Sequence, residues 1–130
     1  MSTLSATLLS FALLAQAASA AAPGRVVSLA LPHALEDGES VWVEVKVGVI
    51  ERGAEIEVET KGGETLGVIS PHGIRPGEQA GTYVLPVPPG AVTDGRLTLR
   101  LVLSRYGGVG RAPTAKEVRA VRLKVTRPAP

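Results

Sequence analysis

The chain has 130 residues, with 14 Lys and Arg against 12 Asp and Glu, two His and no Cys. The absence of cysteine excludes disulfides, thiol chemistry and lipid attachment at a cysteine, and two histidines cannot supply a spaced zinc set. Aromatic residues make up 3% of the sequence, too few for the stacked platforms that grip sugars or bases.

No charged side chain precedes Arg25, and the apolar run from Leu8 to Ala15 is short. A bilayer span needs about 20 apolar residues, a signal-peptide core only about 7–15. Ala18-Ser19-Ala20 offers the small side chains of a cleavage site, although no basic residue precedes the run. Residues 1–20 are therefore expected to be a signal peptide, cut after Ala20. A single domain is expected over 21–126, with a frayed tail over 127–130. The product is expected to be secreted or periplasmic. No second apolar run reaches spanning length, so the mature form is expected not to span a membrane.

Beyond the leader the signal is period 2, which marks half-buried strands. Val27, Leu29 and Leu31 alternate with Ser28 and Ala30, and Pro32 ends that strand. Glu36-Asp37-Gly38-Glu39 is turn chemistry rather than a calcium loop, because it lacks alternating oxygen ligands. Val41, Val43, Val45 and Val47 form one face of the second strand, with Trp42, Glu44 and Lys46 opposite. Trp42 is expected to lie beneath a flanking loop. Ile56 and Val58 alternate with Glu55, Glu57 and Glu59, and Gly62-Gly63 suits a tight hairpin into Leu66–Ile69. A long loop runs from Ser70 to Gly81, then Tyr83 and Leu85 form a strand that Pro86 closes. Pro88-Pro89-Gly90 and Asp94-Gly95 are turns. Leu97, Leu99, Leu101 and Leu103 line the sixth strand, with Arg96 and Arg100 on its other face. A second long loop follows from Tyr106 to Pro113. Thr114-Ala115-Lys116-Glu117 predicts a capping box and one short helical turn. Val121, Leu123 and Val125 form the last strand, with Arg122 and Lys124 opposite.

Seven strands, each with one apolar face, predict an all-β fold. The expected architecture is an antiparallel β-sandwich, immunoglobulin- or fibronectin-like or jelly-roll-like. From Tyr83 to Val125, about a third of the chain, the rhythm of strand, proline-rich turn, strand, loop and final strand resembles the C-terminal part of some jelly-roll carbohydrate-binding modules. The resemblance is one of rhythm and includes no diagnostic residue.

Two places are candidates for function. If successive strands alternate in direction, the connections after the second, fourth and sixth strands meet at one end. They would assemble Arg52, His72, Arg75, Tyr106 and Arg111 into a cationic rim suited to an anionic ligand. If the last two strands pair, Arg96, Arg100, Arg122 and Lys124 form a basic outer face. The charge is unevenly spread: residues 21–78 carry ten acids against five bases, residues 79–130 two acids against nine bases. A basic half beside an acidic half does not read as a nucleic-acid footprint, and no nucleic-acid partner is expected.

The leading expectation is an exported binding module, not an enzyme and without cofactor or metal. Its ligand is expected to be an anionic glycan, a cell-envelope component or a partner protein. An alternative is an assembly subunit, self-associating through the acidic Glu55–Glu59 strand of one copy and the basic strands of another. A hydrolase using His72 beside Ser70 ranks last, because no Gly-x-Ser-x-Gly elbow is present.

Overall fold

The computed structural model describes residues 23–128. The expected signal peptide and the last two residues of the expected tail lie outside the described residues. Within them the alternating segments form strands: β1 (Arg25–Ala30), β2 (Ser40–Val47), β3 (Ala54–Thr60), β4 (Thr65–Ile69), β5 (Gly81–Val87), β6 (Val92–Thr93), β7 (Arg96–Arg105) and β8 (Val118–Thr126). The strand count is thus eight rather than seven. The extra strand has two residues, too few to show an alternation.

All pairings are antiparallel and build two sheets. One runs β1-β7-β3-β4, with β6 also paired to β7; the other runs β5-β2-β8. The strands bury one face each. Val43, Val45, Val47, Ile56, Val58, Leu97, Leu99 and Leu101 are completely buried between the sheets. The register aligns them in layers, Val58 opposite Leu101 and Val27 opposite Leu99 within one sheet, Val43 opposite Leu123 and Leu85 in the other. Burying an aliphatic side chain of this size stabilises a fold by about 1.5–3 kcal/mol. This β-branched and leucine-rich layer therefore takes the place of disulfides.

The terminal strands occupy unexpected positions. An immunoglobulin-type sandwich keeps its first two strands in one sheet and its last two in the other. Here β1 pairs with β7, and β8 pairs with β2. The last two strands, on whose pairing a single basic face depended, do not pair. Arg25 ties the terminal strands together across the sheet boundary, its Nη1 donating to the Val118 carbonyl at 3.1 Å.

Turns follow the chemistry of their residues. Asp94 and Gly95 have φ of 52° and 73°, the paired positive values of a type I′ hairpin, and join β6 to β7. Pro86 does not end β5, which continues to Val87 opposite Trp42 and Val41. It is tolerated because β5 is an edge strand, where a missing N–H breaks no inner ladder. Trp42 lies in the outer face of its sheet, in register with Pro86 and Lys124, and its Nε1–H donates to Thr126 Oγ1 at 3.1 Å. The bond ties it to the neighbouring strand β8. Glu36–Glu39 is a turn closed by Glu39 N–H to the Glu36 carbonyl. Arg127, placed in the tail by its sequence position, pairs with Glu36 and Glu39 of this turn.

Candidate functional site

Strand direction reverses at every long strand, whichever sheet the next one joins. The connections 48–53, 70–80 and 106–117 therefore meet at one end of the sandwich. Gly48 links all three. Its N–H donates to the Glu117 carbonyl at 2.9 Å, and its carbonyl accepts from Ala80 N–H at 3.0 Å. A Cβ at Gly48 would overlap the Lys116 carbonyl oxygen, so only glycine allows this approach.

The loops are individually ordered. In 70–80, Pro76 and Gly77 (φ 85°) form a turn in which the Arg75 carbonyl accepts from Glu78 N–H at 3.0 Å. Positive φ after proline is the signature of a type II turn. In 106–117 the predicted capping box forms in full. Glu117 N–H donates to Thr114 Oγ1 at 3.2 Å, and Thr114 N–H donates to Glu117 Oε1 at 2.9 Å. It closes a single turn without a helix.

Between these loops lies a cleft of ≈ 940 Å³. Its lining includes four of the five rim residues expected from the sequence: Arg52, His72, Arg75 and Tyr106. The fifth, Arg111, lines a smaller neighbouring cavity of ≈ 160 Å³. Arg111 is engaged within the fold. Its two terminal nitrogens each donate to one oxygen of Glu117 at 2.8 Å, a bidentate fork. That fork, with the Thr114 N–H, brings the Glu117 carboxyl down to about 2, and raises the Arg111 guanidinium above its usual value.

Arg105, which the sequence reading did not single out, organises the floor. Its Nε donates to the Arg52 carbonyl at 3.0 Å, and Nη1 pairs with Glu51 at 3.0 Å. Its guanidinium lies 5.1 Å from the centre of the Tyr106 ring, within cation–π range. The signal for it was positional: Arg105 is the next residue after Leu103 on the leucine face of β7, where the strand leaves the core.

Both acids lining the cleft, Glu51 and Glu117, are thus matched by an arginine. Among the described residues, Arg52 and Arg75 have no carboxylate within 4.0 Å, and the His72 ring has no hydrogen-bond partner. Ser70 does not serve His72, since its hydroxyl donates to Glu55 Oε1 at 2.8 Å. Apolar side chains share the surface: Val49, Ile74, Tyr106 and, beside the smaller cavity, Val109 are all exposed. No cluster of three or more metal-ligating side chains occurs among the described residues.

The second candidate surface divides. Arg96 and Arg100 project from the outer face of one sheet, Arg122 and Lys124 from the outer face of the other. Two of the four also face acids of their own molecule, Arg100 with Glu59 and Lys124 with Glu44, each at 3.9 Å. β3 lies inside its sheet between β7 and β4, so its acidic residues present a face rather than an edge.

The chain matches no protein-family model, and no curated protein or solved structure matches it. No helix among the described residues is long and apolar enough to cross a membrane.

Proposed function

We propose that the protein is an exported, non-catalytic β-sandwich that binds an anionic ligand in the cleft between connections 48–53, 70–80 and 106–117. The supporting observation is the pair of unmatched cations, Arg52 and Arg75, in a cleft whose two acids are already occupied. A guanidinium without a partner is a preformed site for carboxylate, sulfate or phosphate. The binding geometry is set in advance, because Gly48 fixes the three loops to one another and Arg105 fixes the floor. The ligand class is an anionic glycan or another acidic component of the cell envelope. Export follows from the apolar run and Ala18-Ser19-Ala20.

Calorimetric titration with a carboxylated or phosphorylated oligosaccharide tests the site. A hydrogen bond to a charged group contributes about 1.5–3 kcal/mol, so Arg52→Ala and Arg75→Ala should each weaken binding by roughly ten- to a hundredfold. Unchanged affinity in both variants would refute the site. N-terminal sequencing of exported protein should begin at Ala21; a mature protein beginning at Met1 would refute export.

The assembly alternative has less support. It sets the acidic Glu55–Glu59 strand of one copy against the basic strands of another, and those basic strands lie in different sheets, Arg96 and Arg100 on one and Arg122 and Lys124 on the other. Sedimentation at low and high salt should therefore show a monomer at both.

A further inference from the structure

Apolar side chains at the loop end are more exposed than a soluble glycan site requires. Val109 is 94% exposed and Tyr106 72%, with Val49 and Ile74 also in solvent. They come from three separate connections, and four of the seven large exposed hydrophobic residues of the described chain lie at this end. Val109 sits in Gly107-Gly108-Val109-Gly110, where no neighbouring side chain shields it. The loop is nonetheless anchored. Arg111 exchanges both backbone hydrogen bonds with Leu103 at 2.8 and 2.9 Å, and a Cβ at Gly110 would overlap Val102. An exposed valine on an anchored loop tip contributes nothing to the core, and a hydroxyl-rich sugar offers it no partner.

Arg52 and Arg75, the unmatched cations, lie among these apolar tips, with Arg105 behind them under Tyr106. Apolar tips that enter the acyl boundary, ringed by cations at headgroup level, are the arrangement that holds a protein on a negatively charged bilayer. Two arginines and four exposed apolar groups on one end are complementary to such a surface in both charge and polarity.

We infer that the loop end docks on a lipid bilayer surface bearing anionic headgroups, with Val109 and Ile74 inserted and Arg52 and Arg75 on the phosphates. The inference rests on the anionic-ligand reading of the same cleft and names the ligand's source.

Vesicle partitioning of the mature protein beginning at Ala21 tests it, with phosphatidylglycerol–phosphatidylcholine vesicles against pure phosphatidylcholine. Each basic residue near an anionic surface contributes about fivefold, so Arg52→Ala/Arg75→Ala together should lower anionic partitioning roughly thirtyfold and leave neutral partitioning unchanged. Val109→Asp/Ile74→Asp should lower it at least tenfold. Arg122→Ala, on the other face, should leave it unchanged. Equal partitioning into both vesicle types, or wild-type partitioning by the loop variants, would overturn the inference. Arg75-dependent binding of a soluble acidic oligosaccharide without any vesicle preference would also overturn it, while leaving the anionic site standing. Absence of both would remove the two together.

Discussion

Gly53 lies directly beneath the ring of Tyr106. A Cβ at Gly53 would come within 2.6 Å of Tyr106 Cζ, and the residue has φ of 82°. The two are also joined by the Tyr106 N–H and the Gly53 carbonyl, and Tyr106 itself holds a positive φ of 53°. The exposed aromatic of the loop end is thus seated on a glycine from another connection, with the Arg105 guanidinium against the ring.

This contact gives a first prediction. Gly53→Ala should destabilise by about 1–3 kcal/mol, through left-handed strain and displacement of the ring. Tyr106→Gly in the same chain should recover the part due to the ring and leave the backbone part. Urea denaturation of the single and double variants measures both. Equal stability of Gly53→Ala and the parent would show that the ring does not rest there.

The acid side of the stability curve gives a second. The backbone N–H of Glu36, with His33 and Arg127, holds the Glu39 carboxyl near 2, and Arg111 with Thr114 does the same for Glu117. Unfolded glutamates titrate near 4.3. A depressed folded pKa adds stability that is present above the unfolded value and lost as pH falls through the folded one. Stability should therefore fall between about pH 4.5 and 2, and Glu39→Gln or Glu117→Gln should flatten that fall. Glu57 has the opposite sign. The neighbouring Glu59 carboxyl on the same strand face, then burial, push its carboxyl up. Its ionisation opposes folding at neutral pH, so Glu57→Gln should raise the melting temperature slightly there and lose that advantage in acid. Carboxyl chemical shifts followed through the titration check all three groups.

Much of this fold is written in a two-residue period. The alternations at Val41–Val47 and Leu97–Leu103 fix which faces are buried, and the reversal of direction at each strand gathers Arg52, His72, Arg75 and Tyr106 at one end. The division into sheets is not written there. β7 and β8 carry the same leucine/valine-against-arginine/lysine pattern, and a period of two states which face is inward without stating which sheet the strand joins. For that reason the basic face from Arg96 to Lys124 looks continuous in sequence and is split in space. Arg111 is a different case. Its partner was visible as the glutamate of the capping box, but nothing in a local motif says that a residue six positions upstream will close on it.

Arg111 and Arg75 should consequently separate in their effects. Arg111→Ala removes an exposed fork and should lower stability only slightly, with ligand affinity within about twofold of the parent. Arg75→Ala should do the reverse. Paired denaturation and binding measurements on the two variants decide; a loss of affinity in Arg111→Ala equal to that in Arg75→Ala would return Arg111 to the site.

Core and loop tip should differ as sharply. Leu101 is fully buried in β7, opposite Val58 and Arg25. Leu101→Ala should cost about 2–5 kcal/mol, the range for a cavity left in a packed interior. Val109→Ala should stay within about 0.5 kcal/mol. Both are read from urea midpoints with an unchanged denaturant slope.

The most direct test of an anion-binding loop end is a backbone amide NMR titration with acidic oligosaccharide and, separately, with anionic bicelles. Perturbations should gather in 48–53, 70–80 and 105–111 and fade with added salt. Perturbations centred on Arg122 and Lys124, or no perturbation by either anion, would contradict it.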